Sequence, residues 1–300
     1  ISPWPIFSQF VKDRSKLQSL DERLSLLGYV KKLNESSFQD LIEEDKLVIA
    51  GKHTAKHEPS LFPFDAEWFG STKGARTFIQ LLSDFPAEFN EAIQLIPVEG
   101  DVTKQMYDEF IRAYKAIFSN NTDGESATLF PATRLLAMRR PDQFICLSSQ
   151  KIDALCQGFG ISKLKTNDFD SYWNELILTL RTSHFWQSEQ PELSEDDSND
   201  LDIAIWHNRA IMVDLFFFAD ESQAENSNYV RMRDKPKSTK IGVARSTKRS
   251  KESAEQLVDK ALAADDIPEF LHSMRGTIIK SVQDGKSVEQ AISLMRSIFG

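Results

Sequence analysis

Two short groups of residues in this chain have types and spacing that could carry catalysis. Asp40, Glu44 and Lys46 form a carboxylate, carboxylate and lysine set of the kind that nucleases use to hold a divalent ion and activate water. That chemistry wants the second carboxylate and the lysine on one face of a strand, and alternate residues of Glu44-Asp45-Lys46-Leu47-Val48 meet this if the segment is extended. Magnesium would be the cofactor of that reading alone, and Asp40 and Glu44 suit a solvated helix face more simply. His53, His57 and Glu58 in HTAKHE offer two imidazoles four apart plus a carboxylate, the donors a divalent metal needs. Gly51 before them and Pro59 after them leave room for about two helical turns at most, so a polar loop is the expected reading and no resident metal is assigned.

Other chemistries lack their signatures. The chain has neither a GxxxxGK[ST] loop nor a GxGxxG, and Gly158-Phe159-Gly160 follows a predicted helix, the wrong end for phosphate. There is no GxSxG elbow, and neither Cys146 nor Cys156 has a histidine beside it to generate a thiolate. Trp206-His207-Asn208-Arg209 interrupts a greasy stretch. His207 or Arg209 could face a pocket or a phosphate, but the favoured expectation is that Arg209 pairs with an acid such as Asp202 or Asp214 and His207 lies at the surface, because buried charges are usually paired.

The best binding signal is basic. Residues 231–251 hold nine Lys or Arg against one acid, with Pro, Gly, Ser and Thr between them. Arg231, Arg233, Lys235, Lys237, Lys240, Arg245, Lys248, Arg249 and Lys251 can neutralise several phosphates of DNA or RNA without reading sequence. Scarce aromatics argue against base stacking, and the competing reading is a solvated linker or one docked on the acidic segment 189–202.

Residues 129–160 organise the rest. Pro131 suits a first helical position ahead of Leu135, Leu136 and Met138, and Pro141 ends that helix. Arg134, Arg139 and Arg140 crowd its last turns, where cations meet the negative end of the dipole. Phe144 to Leu147 reads as a buried strand or extended connector, and Ser148 or Ser149 caps a further helix stopped by Gly158 or Gly160. The Arg-Leu-Leu helix, Arg-Pro-Asp-Gln-Phe, Ser-Ser-Gln-Lys and Gly-Phe-Gly, continued by Tyr172-Trp173, His184-Phe185-Trp186 and Ile205-Trp206-His207-Asn208-Arg209, resemble accessory regions of bacterial restriction and phage-defence proteins, including those attached to modification-dependent restriction GTPases. The resemblance covers about residues 129–218. It implies a setting of genome defence or DNA handling and carries no catalytic signature.

Before this stretch, helical periodicity covers 5–18, 20–33, 75–84, 87–96 and 102–118, with Ser36 or Ser37 opening a short helix through Glu44. Lys46–Ala50 is the clearest strand candidate, and 51–74 is a structured loop, since Phe62, Phe64, Trp68 and Phe69 are costly to leave in water. After it come helices at 168–180 and 201–218, then three short amphipathic ones at 252–263, 266–283 and 286–299.

A hydrophobic fraction of 41% with 27% charged residues is ordinary globular composition. A net charge of -9 confines any nucleic-acid contact to a local patch. Two cysteines suit a reducing cytosol, and no apolar run reaches membrane-span length. The start at Ile1 lacks the marks of a signal peptide and suits a processed chain or a piece of a longer one.

The expectation is a mainly α protein, a multi-helical globular body with few short strands and a small C-terminal helical tail. It divides into N-terminal (1–128) and central (129–220) helical subdomains, a basic linker (221–251) and the tail (252–300). The expected role is a cytoplasmic, non-enzymatic adaptor that touches nucleic acid and a protein partner such as an ATPase or GTPase, with no membrane. The alternatives are a metal-dependent nuclease using Glu44 and Lys46, and a purely protein-binding subunit.

Overall fold

The computed structural model describes residues 2–14, 18–193, 200–218, 220–235, 253–264 and 267–299. It contains helices and loops and, among these residues, no strand. In chain order the helices of the body are α1 (Trp4–Asp13), α2 (Leu20–Leu33), α3 (Glu43–Ala50), α4 (Arg76–Asp84), α5 (Pro86–Gln94), α6 (Lys104–Asn121), α7 (Leu129–Arg139) and α8 (Ile152–Phe159). α9 joins Phe169–Ser171, a π-helical stretch Tyr172–Ile177 and Leu178–Arg181; α10 (His184–Gln187), α11 (Asp200–His207), α12 (Val213–Phe217), α13 (Glu221–Asn226) and α14 (Asn228–Arg233) follow. The chain divides into two compact units, 1–236 and 237–300.

In the first unit a single apolar core runs from Phe7 to Leu215, so the segments 1–128 and 129–220 share one interior. α6 shows how the pattern builds it. Thr103 caps the helix by accepting from the Met106 N–H, and Tyr107, Phe110, Ile111, Tyr114, Ile117 and Phe118 recur at three- and four-residue steps on the buried face. α7 is buried on every side from Pro131 to Met138, which makes it the central helix of the body. It begins at Leu129, two residues ahead of Pro131, and the proline is tolerated because the first turn has no intrahelical N–H partners to lose.

Arg134 on α7 is wholly buried and, among the described residues, makes no direct ion pair with a carboxylate. Its Nε donates to the Ile49 carbonyl (3.0 Å) and Nη2 to those of Val48 (2.9 Å) and Ala66 (2.8 Å). Nη1 donates to the carbonyls of Trp68 and Gly70. Five N–H groups thus meet five carbonyls, closing the C-terminal end of α3 and fixing the loop 51–74. Gly51 turns the chain here at φ 83°, and a Cβ on it would lie 2.5 Å from the Gly70 oxygen, so neither the backbone nor the space accepts another residue.

The strand expected at Lys46–Ala50 is the second half of α3, whose first turn holds Glu43, Glu44 and Asp45 at the positive end of the dipole. The run Phe144–Leu147 is neither helix nor strand, and its backbone bonds to side chains in place of a neighbouring strand. The Tyr172 hydroxyl donates to the Ile145 carbonyl (2.7 Å) and accepts from its N–H (3.2 Å), while Thr133 Oγ accepts from the Leu147 N–H (2.9 Å). The single helix expected over 201–218 breaks at Asn208–Met212, where the Ile211 N–H turns away to the Pro141 carbonyl. The loop 51–74 is irregular yet packed, with Phe64, Trp68 and Phe69 buried.

In the second unit Ala254–Leu262, Glu269–Ser273, Arg275–Gln283 and Val288–Phe299 are helical. Val258, Leu262, Leu271, Ile278, Ala291 and Met295 form its own small core, and Ser253 and Gln256 make a capping box. No described helix in either unit is long and apolar enough to cross a membrane.

Arg134→Lys removes two planar donors and most of the fork, leaving buried carbonyls without partners. We expect it to destabilise the first unit by about 3 kcal/mol or more. Urea denaturation followed through tryptophan fluorescence checks this, and a midpoint equal to that of the parent chain would refute it.

Candidate functional site

A polar cleft of about 310 Å³ is walled by the loop 51–74, the turn before α8, and the segment from Asp214 to Arg231. Its floor is charged and buried. Lys151 Nζ donates to both oxygens of Asp214 (2.7 Å each) and to the Phe69 carbonyl. Arg23 on α2 reaches the same carboxylate (3.4 Å) and lies over the rings of Trp68 (4.1 Å) and Phe69 (4.8 Å). Burial lowers the Arg23 guanidinium from its ordinary range, against the raising pull of Asp214.

A second set of carboxylates ties α14 to this floor. Asp65 accepts from the Asn228 N–H (2.7 Å) and side-chain amide (3.1 Å), and from the Glu67 N–H (2.9 Å). Glu22 accepts from Trp68 Nε1 (2.8 Å), the Asp65 N–H (3.0 Å) and the Ser227 hydroxyl (3.0 Å). Burial pushes its carboxyl above the usual range despite these donors, and neighbouring Asp65 adds to the rise.

The residues expected to do chemistry lie elsewhere. Glu44 and Lys46 are two apart on a helix, about 200° around the axis, so they do not share a face. Glu44 pairs with Lys56 (2.9 Å), which holds its carboxyl below the usual range, and Lys46 is buried. Among the described residues no group of three His, Cys, Asp or Glu is placed to hold a metal ion, and His53, His57 and Glu58 form no such set. His57 is buried beside the Phe62 ring, with Nε2 unpartnered among the described residues. Both cysteines are free and buried, and burial pushes their thiols up.

Arg209 pairs with neither expected acid, since Asp214 belongs to Lys151 and Arg23 and Asp202 pairs with Lys12 (3.1 Å). It donates instead to the carbonyls of Trp186 and Trp206 and lies over both rings. Arg181 continues the stack between Trp186 and Trp173, giving an alternating ladder of three tryptophans and two arginines. His207 is exposed, as expected.

Of the basic run, Arg231 borders the cleft, Arg233 pairs with Asp234 (2.8 Å) and Lys235 is exposed. Lys237, Lys240, Arg245, Lys248, Arg249 and Lys251 lie outside the described residues, as does the stretch 194–199 of the acidic segment 189–202. Sequence reasoning passed over Glu22, Arg23, Asp65 and Lys151. The one available signal was Asp214, a lone carboxylate within the apolar run 210–218, which had to find cations from distant segments.

No family model, curated protein or solved structure matches this chain.

Two outcomes test this site. Asp214→Asn leaves two buried cations without a counter-charge, whereas Lys151→Met leaves the Arg23–Asp214 pair intact. Asp214→Asn should therefore cost about 3–5 kcal/mol and the lysine change less, and the reverse order in denaturant titrations would refute the shared-carboxylate arrangement. Burial lowers the His57 imidazole below its ordinary value, so the unfolded chain takes up its proton first on acidification. Its contribution is complete above about pH 6.5 and is lost as the pH falls below that. Melting temperature should thus drop less between neutral and mildly acid pH in His57→Gln than in the parent chain.

Proposed function

We propose that this chain is a non-enzymatic adaptor of a bacterial phage-defence or DNA-processing system, contacting nucleic acid through the basic run 231–251. The observation that carries the reading is the sequence: nine cations against one acid fall in 231–251, a stretch that spans the boundary in sequence between two compact units, each with its own core. A segment of this composition buries too little surface to fold by itself, and its run of cations stands out in a protein of net charge -9. Phosphates satisfy such a segment without sequence readout, and the two units are left free to bind a protein partner, an ATPase or GTPase in the setting the 129–218 resemblance implies. Glu44 and Lys46 support the nuclease alternative less well, because their helix separates them.

The test is fluorescence anisotropy with labelled double-stranded DNA, single-stranded DNA and RNA over a range of salt, with magnesium present and product lengths followed. Replacing Lys240, Arg245, Lys248 and Arg249 with Gln should weaken binding and flatten the slope of log affinity against log salt by about three to four for duplex DNA. Binding unchanged by those four replacements refutes the reading, magnesium-dependent cleavage replaces it with the nuclease, and no binding to any of the three replaces it with a purely protein-binding subunit.

A further inference from the structure

The deep end of the polar cleft has more hydrogen-bond donors than acceptors to receive them. Arg23, 2% exposed, has five N–H groups. Nε donates to the Gln18 carbonyl (2.8 Å) and Nη1 to Asp214 (3.4 Å), and among the described residues no other acceptor lies within bonding distance. The buried acids around it are filled. Asp214 holds Lys151 and Arg23, and Asp65 already accepts three bonds. Lys151 is spent on Asp214 and the Phe69 carbonyl.

The rim repeats the imbalance. Arg231 and Lys73 border the cleft with no carboxylate within 4.0 Å among the described residues. The two rim acids are half used, Asp220 by the Gln223 N–H (3.0 Å) and Glu67 by the His53 N–H (3.4 Å). Asp220 also interacts with Arg23 through space, which makes it the internal competitor for an anion at that guanidinium. Three cations with unspent donors, Arg23, Lys73 and Arg231, face one hollow, against the two half-used acids Glu67 and Asp220, and that surplus of donors suits an oxyanion. The volume, about 310 Å³, is at the lower end of the range for small-molecule sites, and the amides and hydroxyls of its walls suit a polar ligand.

We propose that this cleft binds a phosphate monoester of nucleotide size, with the phosphate held by the open edge of Arg23 and by Arg231. The Arg fork is matched to such an oxyanion, and its face is already fixed by Trp68 and Phe69, so little order is lost on binding. The inference needs nothing of the basic run except Arg231.

Isothermal titration of the full chain with AMP, with inorganic phosphate and with acetate at low ionic strength tests it. The expected result is saturable one-to-one binding of AMP, weaker binding of phosphate and none of acetate. Arg23→Met should abolish binding but also disturbs the buried floor, so the decision rests on two rim variants checked for an unchanged melting temperature. Arg231→Gln should weaken AMP binding about three- to fivefold, and Asp220→Asn, which keeps the cap of α13, should tighten it by about as much. Absence of saturable AMP binding, or one affinity across all three chains, overturns the proposal. The variant with Lys240, Arg245, Lys248 and Arg249 replaced should bind AMP as the parent chain does; loss of AMP binding there would assign the anion to the basic run and overturn the cleft.

Discussion

The body of this protein depends on a buried cation that, among the described residues, has no direct carboxylate partner. Arg134 is compensated by the carbonyl dipoles of Val48, Ile49, Ala66, Trp68 and Gly70, five acceptors for five donors. The arrangement works because a guanidinium is planar and spreads its charge, so each N–H can be given one partner without crowding. It also sets a condition on everything around it. The end of α3 and the loop 51–74 must bring those oxygens to one place, and Gly51 must make the turn that allows it.

The same loop joins two systems that sequence alone keeps apart. Its backbone caps Arg134, while Asp65 and Phe69 line the polar cleft, and these two with Trp68 receive Glu22 and Arg23 from α2 and Lys151 from the turn before α8. The C-terminal part of the body, from Asp214 to Arg231, is held against this wall by Lys151, Ser227 and Asn228. Charge in this interior is therefore shared: one carboxylate serves two cations, and one carboxyl, Glu22, sits among three donors. Such an interior favours a single arrangement, because each substitution leaves a partner without its match.

Helix placement was legible wherever the apolar period was strong, as in α2, α4, α5 and α6, because burying a stripe every three to four residues has only one local solution. The two strand-like runs were ambiguous for different reasons. Lys46–Ala50 follows three acids that suit a helix start, and that signal outweighs β-branched Val48 and Ile49. Phe144–Leu147 is no strand, and the groups that satisfy its backbone, on Thr133 and Tyr172, are ones no local pattern connects to it. The buried floor of the cleft was hidden likewise, because Arg23, Asp65, Lys151 and Asp214 are ordinary charged residues until the fold brings them within reach of each other. Arg209 shows the limit of pairing rules, since aromatic faces and carbonyls satisfied it in place of an acid.

The way the backbone of Phe144–Leu147 is satisfied has a kinetic consequence. A strand in a sheet can be completed by any neighbour with a free edge, but here Ile145 and Leu147 are each completed by one hydroxyl from a particular helix. Until α7 and α9 have both docked, these backbone groups can only remain hydrated, so the run cannot become dry ahead of its neighbours. The central helices should then assemble as one cooperative step, with the hydroxyls of Thr133 and Tyr172 acting as the final latch.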